Sequence, residues 1–403
     1  MSEERILIAG AGPVGTIAGY CLARAGVPVT LFDSLAEIPT DHRAATLQPS
    51  TLDLLDEFGM TGALLEKGIR SPWIQYRDRA DDRIVAEFDL GRLADDTNHP
   101  FALQVEQHKT IGVALALARA LPDFTLHRRH TVTAVEQNAD HVEITVTDED
   151  GGTRRHRGRY LIGCEGGGSI SRKEAGIDFP GFTWNERFII VGTPYDFGDH
   201  GYRYRNYIAH PEQWCAMMKV PGDDFSGVWR CLFPAMGDEP DEVVTGDEWI
   251  QARFRECLPY DPPYEIVHRN LYPVHQRVAT AFRKGRVLLA GDSAHVNNPI
   301  GGMGMNSGIH DALNLAGKLI RIWRGEAGEE LLDQYDRQRR PTATKYVQAH
   351  SIQNKKILEE NDPAARRKRL DELAATAADP KRAREFMLRT SLIAMVREAD
   401  SIQ

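Results

Sequence analysis

Apolar residues along this chain come in short bursts, each followed by glycine or by polar residues. The first burst is the "ILIA" of "RILIAGAGPVG". A run of this length, stopped by glycine, has strand length, so Ile6–Ala9 reads as a short buried strand. Small residues from Thr16 to Ala25 then predict a helix, and "VPVTLFD" predicts a second strand ending at Asp33. The arrangement recurs late in the chain. "RVLLA", Arg286 to Ala290, predicts a strand, and "GDSAHVNNPIGGMGMN", residues 291–306, predicts a loop. Ile309, Leu313, Ala316, Ile320 and Trp323 then recur at helical spacing.

A third junction of strand and glycines is "RYLIGCEGGGSISR", residues 159–172. From 173 to 275 the pattern changes. Runs such as "YRYRNYIA", "WCAMMKV" and "GVWRCLF" alternate apolar and polar positions between polar breaks, which predicts an antiparallel sheet. Beyond Pro341 the chain is charged and helical in pattern, and it reads as a helical cap or a homodimer contact. No internal repeat is visible.

Composition narrows the function classes. The 403 residues are 42% hydrophobic and 27% charged, enough for a substantial core. A net charge of −9 argues against nucleic acid or an anionic membrane surface as the main partner. Five cysteines without a CxxC pair indicate neither a disulfide framework nor a zinc site, so no metal is expected and the cytoplasm is the expected location. The charged N-terminus shows no secretory signal, and nowhere do 18 apolar residues run together, so no membrane span is expected.

Gly10, Gly12 and Gly15 form GxGxxG between a strand and a helix. Gly10 suits the tight turn and Gly12 lets a pyrophosphate approach the backbone. Gly15 lets helix and strand pack closely, while the helix N-terminus attracts phosphate. Asp33, at the end of the second strand, is placed to accept from a ribose diol and disfavours a 2′-phosphate. These features leave FAD and NAD open. In the 291–306 stretch, Asp292 suits a polyol hydroxyl, and Gly301, Gly302 and Gly304 let backbone approach a flat ligand. The following helix start favours a ring edge that becomes anionic, which fits a flavin better than a nicotinamide.

With "GAGPVG", "GDSAHVNNPIGGMGMNSGIHDALNL" and the 159–172 junction in place, the chain resembles the single-component, class A flavin monooxygenases of the 4-hydroxybenzoate hydroxylase type, over about residues 4 to 350. The junction departs from the family pattern, since Glu165 stands where the family has Asp near the pyrophosphate and linked to nicotinamide binding. The resemblance implies FAD contacts at Gly10, Gly12, Pro13, Val14, Gly15, Asp33, Arg43, Gln104, Glu165, Asp292, Gly302, Gly304, Met305 and Asn306. It places Pro299 beside the flavin C4a position and leaves His295 as a candidate for proton transfer or for holding the loop. Tyr207, Met218 and Trp229, on the inferred sheet, are the candidate substrate wall. The arginine that holds a benzoate carboxylate in such enzymes is not found in "WCAMMKV". Lys219, Arg203, Arg205 and Arg230 lie nearby, and a neutral or phenolic substrate is expected.

The implied fold is α/β: a discontinuous Rossmann-like FAD-binding domain (1–75, 101–172 and 276–340), an inserted antiparallel-sheet substrate domain (76–100 and 173–275) and a C-terminal helical region (341–403). The implied cycle reduces FAD with NADH or NADPH, adds O2 at C4a and passes oxygen to a small aromatic substrate. An FAD-dependent reductase or dehydrogenase of the same fold, or a non-catalytic flavin-binding protein, is the alternative. The halogenase segment WxWxIP is absent.

Overall fold

A computed structural model describes residues 4–40 and 44–403. The apolar bursts become the centre of a six-stranded sheet. Its order is Arg283–Lys284, Val287–Leu289, Tyr160–Gly163, Ile6–Ala9, Val29–Asp33 and Phe124–Arg128. All neighbouring pairs are parallel except the first, which is antiparallel. Ile6, Leu7, Ile8, Leu161, Ile162 and Leu288 have no exposure at all, as expected of strands covered on both faces.

Helix Pro13–Arg24 packs on this sheet, and helices Gln107–Ala118 and Gly304–Trp323 pack in turn on that helix. A separate three-stranded sheet, running from His130 to Gly158, contributes Val132, Val135, Val142 and Ile144 to the same core. The three strand-to-glycine junctions therefore fall at the carboxyl ends of adjacent parallel strands, where α/β sheets bind ligands.

The alternating region builds an eight-stranded sheet. It takes in the 181–235 strands, His268–Val278, the short His295–Val296, and the hairpin Trp73–Asp78 and Arg83–Asp89. Two details differ from the sequence reading. The sheet is antiparallel except where Arg205–Ala209 pairs in parallel with Trp73–Asp78. It also begins at Trp73 and, through strand His268–Val278, reaches the short His295–Val296, with the apolar positions Ile74, Tyr76 and Val274 on its buried face.

The C-terminal helices lie on that face. Leu358, Leu370, Met387 and Ile393 share a core with Tyr76, Phe88 and Phe188, and Phe386 stacks on Phe88 at 4.2 Å. Arg384 and Arg397 both grip Asp96, at 2.7 and 2.8 Å. The region is thus a cap. Helix Glu330–Thr342 carries Pro341 in its last turn and passes into a wider π-helical turn, Ala343–Gln348, as expected where proline removes a ladder hydrogen bond.

Candidate active site

Each glycine of the first turn has its own reason. Gly10 has φ of +93°, and a side chain there would meet the Cys164 carbonyl; a Cβ on Gly15 would overlap the Gly10 carbonyl. Those two are demanded by the fold itself. Gly12 is not, because its backbone is extended (φ −69°) and a Cβ there would meet nothing within 4 Å. The space such a side chain would enter is a cavity of ≈ 910 Å³. It is large enough for a dinucleotide and for a second small molecule beside it.

The cavity reaches from Gly12 and Asp33, past Glu165 and Asp292, to Met218 and Arg230 on the large sheet. Two helices begin at its wall, Pro13–Arg24 and Gly304–Trp323, and neither has a side-chain cap. Their first N–H groups and their positive ends are thus left for an anionic ligand. Pro13, Val14, Pro299, Gly302, Gly304 and Met305 also line the cavity.

Asp33 accepts from the Ala11 N–H at 2.6 Å and the Leu35 N–H at 2.9 Å, with Arg128 at 3.5 Å. A carboxylate has about four acceptor sites, so capacity for a hydroxyl remains. Gln104 is fully buried and accepts from Thr46 Oγ1 at 2.8 Å, but its Nε2 has no partner among the described residues. Thr46 lines the cavity, so a polyol acceptor there would satisfy that donor. Asp292 is exposed into the same space. Arg43 lies outside the described residues.

Glu165 faces the cavity but spends its carboxylate on its own loop. It accepts from Ser171 N (3.0 Å), Ser171 Oγ (2.5 Å) and Ser169 Oγ (2.8 Å), and from Ser293 Oγ (3.3 Å) across the junction. It thereby ties the 159–172 turn to the 291–306 turn, a bracing role in place of a free charge.

Two expectations are corrected, and of the two roles open to His295 its surroundings support the loop-holding one. His295 does not reach the cavity; it is fully buried, with Nε2 2.8 Å from Asp311 and its ring stacked on Phe282. Asp311 also accepts from the Gly291 N–H (3.1 Å) and Arg339 Nε (2.7 Å). Burial alone would raise the Asp311 carboxyl, yet Arg339 and His295 hold it below its usual value. The cluster fixes the turn instead of moving protons to substrate. Trp229 lies on the far side of the sheet, donating to Asp196 at 3.1 Å in a core with Phe197 and Phe233. Strand alternation sends its neighbours Arg230 and Leu232 to the cavity instead. Tyr207 shares the cavity's face of the sheet but does not line the cavity; it is buried, stacked on Tyr76 at 5.0 Å.

Asn306 is likewise structural, donating to the Thr46 and Gly302 carbonyls and accepting from Gln48 N. Met218, by contrast, lines the cavity and lies 3.5 Å from Thr46 Oγ1. The sequence reading gave no role to Tyr272, which lines the cavity, or to Gln48, Asp311 and Arg339 of the loop network. Asp311 sits inside the quoted glycine motif; the others carry no local signal, since their position depends on cross-strand register.

The donor set fits FAD: open space at Gly12, two uncapped helix starts, an amide Nε2 of Gln104 without a partner among the described residues, and carboxylates for polyol hydroxyls. Comparison with known proteins agrees. A model of the family described as FAD binding domain matches residues 3–350. The para-nitrophenol 4-monooxygenase of Pseudomonas sp. (strain WBC-3) is 33% identical over 366 residues, covering 90% of this chain and 89% of its own. The 6-hydroxy-3-succinoylpyridine 3-monooxygenase of Pseudomonas putida (strain DSM 28022 / S16) is 28% identical over 90% of each chain. The crystal structure of p-nitrophenol 4-monooxygenase from Pseudomonas putida DLL-E4 superposes with a TM-score of 0.91 at 30% identity, covering 96% of this chain and 98% of that one. The chain therefore belongs to the FAD binding domain family, among its class A flavin-dependent aromatic hydroxylases, with FAD as cofactor and NADH or NADPH as electron donor.

Proposed function

We propose that the chain hydroxylates a small phenol that carries a planar, oxygen-bearing substituent such as nitro or carboxylate, held by Arg230. The observation that carries this reading is the make-up of the cavity's sheet end. Ile190, Ala216, Met218 and Leu232 form an apolar wall, and one guanidinium, that of Arg230, lies in it at 6% exposure. Among the described residues of the lining, Arg128 and Arg230 are the permanent cations, and Arg128 belongs to the Asp33 end.

The other basic residues named near the sheet do not line the cavity. Lys219 pairs with Asp196 at 2.7 Å and Arg203 with Glu87 at 2.8 Å. An arginine fork matches two coplanar oxygens, and at this depth its charge favours the ionised form of a bound phenol. Two relatives are named for para-nitrophenol and for a succinoyl-bearing hydroxypyridine, both rings with oxygen-rich substituents. This keeps the expected phenolic substrate and adds an oxygen-bearing substituent to it.

Reduced FAD supplies the activation of O2. The chain's own residues orient the ring, exclude water with the apolar wall, and favour the anion. The test is stopped-flow reduction of the FAD-loaded protein by NADH and by NADPH, with phenol, 4-methylphenol, 4-nitrophenol and 4-hydroxybenzoate. The nitro or carboxylate ring should accelerate flavin bleaching at least tenfold more than 4-methylphenol, and R230M should remove most of that difference. Equal effects of all four rings, or an R230M profile like that of the unchanged protein, would contradict the Arg230 assignment. Flavin that no phenol accelerates would favour the reductase reading.

A further inference from the structure

The sheet carries a second buried arginine that faces no substrate. Arg205 is 1% exposed. Its Nη2 donates to the Gly301 carbonyl at 2.9 Å and to Tyr207 Oη at 3.1 Å, its Nε to the same hydroxyl at 3.2 Å, and its Nη1 to Gln48 Oε1 at 3.3 Å. Every acceptor is neutral, and no carboxylate among the described residues forms an ion pair with it within 4.0 Å. Burying a full charge without a counter-charge costs several kcal/mol even when its hydrogen bonds are made. A neutral side chain could brace the same loop without that cost.

The loop it braces is the one at the ligand wall. Gly301 and Gly302 have φ of +108° and +63°, and Gly302 lines the cavity. Gln48 Nε2 donates to the same Gly301 carbonyl at 3.2 Å, and Gln48 N–H donates to Asn306 Oδ1. Asn306 in turn holds Gly302. Arg205 is therefore the charged foot of a network that ends at the start of helix Gly304–Trp323. Its cross-strand partner is the cavity-lining Met218, so it lies on the cavity's face of the sheet, buried beside the wall.

We propose that Arg205 is an electrostatic positioning residue: it holds the 299–302 loop against the substrate sheet and stabilises negative charge on the ligand edge that this loop faces. It rests on the reading of the cavity as a flavin site. With FAD bound, the negative charge is that of the reduced ring, so the fixed cation adds to the helix N-terminus in favouring reduction. The role is separate from that of Arg230, which faces the aromatic.

The test is the midpoint potential of the FAD-loaded protein, by anaerobic dye equilibration without any aromatic. It reads neither hydroxylation nor substrate choice, so its failure and that of the hydroxylase reading are distinguishable. In R205M, the ratio of reduced to oxidised flavin at a fixed potential should fall at least tenfold. In R205K, which keeps the charge, it should stay within about threefold. R203M, at an exposed residue outside the network, should leave it unchanged. If R205M fails to fold, R205Q keeps a donor for Gly301 without the charge and reads the same quantity. An unchanged ratio in the uncharged variants would overturn the proposal, and so would a fall in R205K as deep as in R205M.

Discussion

Gly12 and Gly15 belong to one motif and yet answer to different forces. A methyl on Gly15 would collide with the Gly10 carbonyl, so G15A should lower stability by about 2 kcal/mol or more, as overpacking in a tight contact does. A methyl on Gly12 meets only the cavity, so G12A should keep its melting temperature as apo-protein and weaken FAD binding at least tenfold. Thermal unfolding with FAD titration checks both, and a G12A protein with unchanged FAD affinity would refute the assignment. His310 gives a second prediction at this scale. It is 2% exposed, hydrogen-bonded to Thr51 Oγ1, and held down to about 3 by burial and by Arg339. The unfolded chain takes up a proton near pH 6.5 that the folded site refuses. Stability is therefore intact above about pH 7 and declines as the pH falls below it, by about 1.4 kcal/mol at about pH 5.5. H310Q keeps a hydrogen bond to Thr51 and should lose that part of the acid sensitivity in urea melts at the two pH values.

Alternation decides what each strand contributes. On Val228–Ala235, even-numbered Arg230 and Leu232 face the cavity, while Trp229, Cys231 and Phe233 face the core under helix Asp247–Cys257. W229A should cost about 3–5 kcal/mol of stability with little change in aromatic affinity. M218A should do the reverse, shifting aromatic affinity severalfold with a smaller stability loss. Flavin-absorbance titrations alongside urea melts separate the two, and a W229A protein of full stability with altered affinity would reverse the faces assigned here. This is also where the sequence stopped being readable. The strand–glycine–helix junctions are local, so Ile6–Ala9, the turn at Gly10–Gly15 and the helix ending at Trp323 could be read from neighbours in the chain. Which face of a strand points at a ligand depends on register with strands far away, and nothing near Trp229 announces it. The partners of His295 were out of sight for a related reason: Asp311 lies about two helix turns into the next element, and Arg339 comes from another helix altogether.

Across the molecule, two sheets meet at one cavity. The parallel sheet supplies glycine turns, the large sheet supplies an apolar wall with one cation, and the C-terminal helices cover the rest of that same sheet face through Asp96 and the Phe88–Phe386 stack. That the late charged region is a cap follows from contacts no periodicity could reveal, since its apolar residues pair with strands some 300 positions earlier. No helix among the described residues is long and apolar enough to cross a membrane. The continuity of the cavity, from the phosphate-binding turn to the Arg230 wall, is the structural reason to expect oxygen transfer in place of simple flavin reduction. The most direct measurement is mass spectrometry of the product formed by the FAD-loaded protein with NADH or NADPH, 4-nitrophenol or 4-hydroxybenzoate, and isotopically labelled O2. The account predicts one labelled oxygen atom in the aromatic product for each nicotinamide oxidised. Nicotinamide oxidation that yields only hydrogen peroxide, with both aromatics recovered unlabelled, would contradict it.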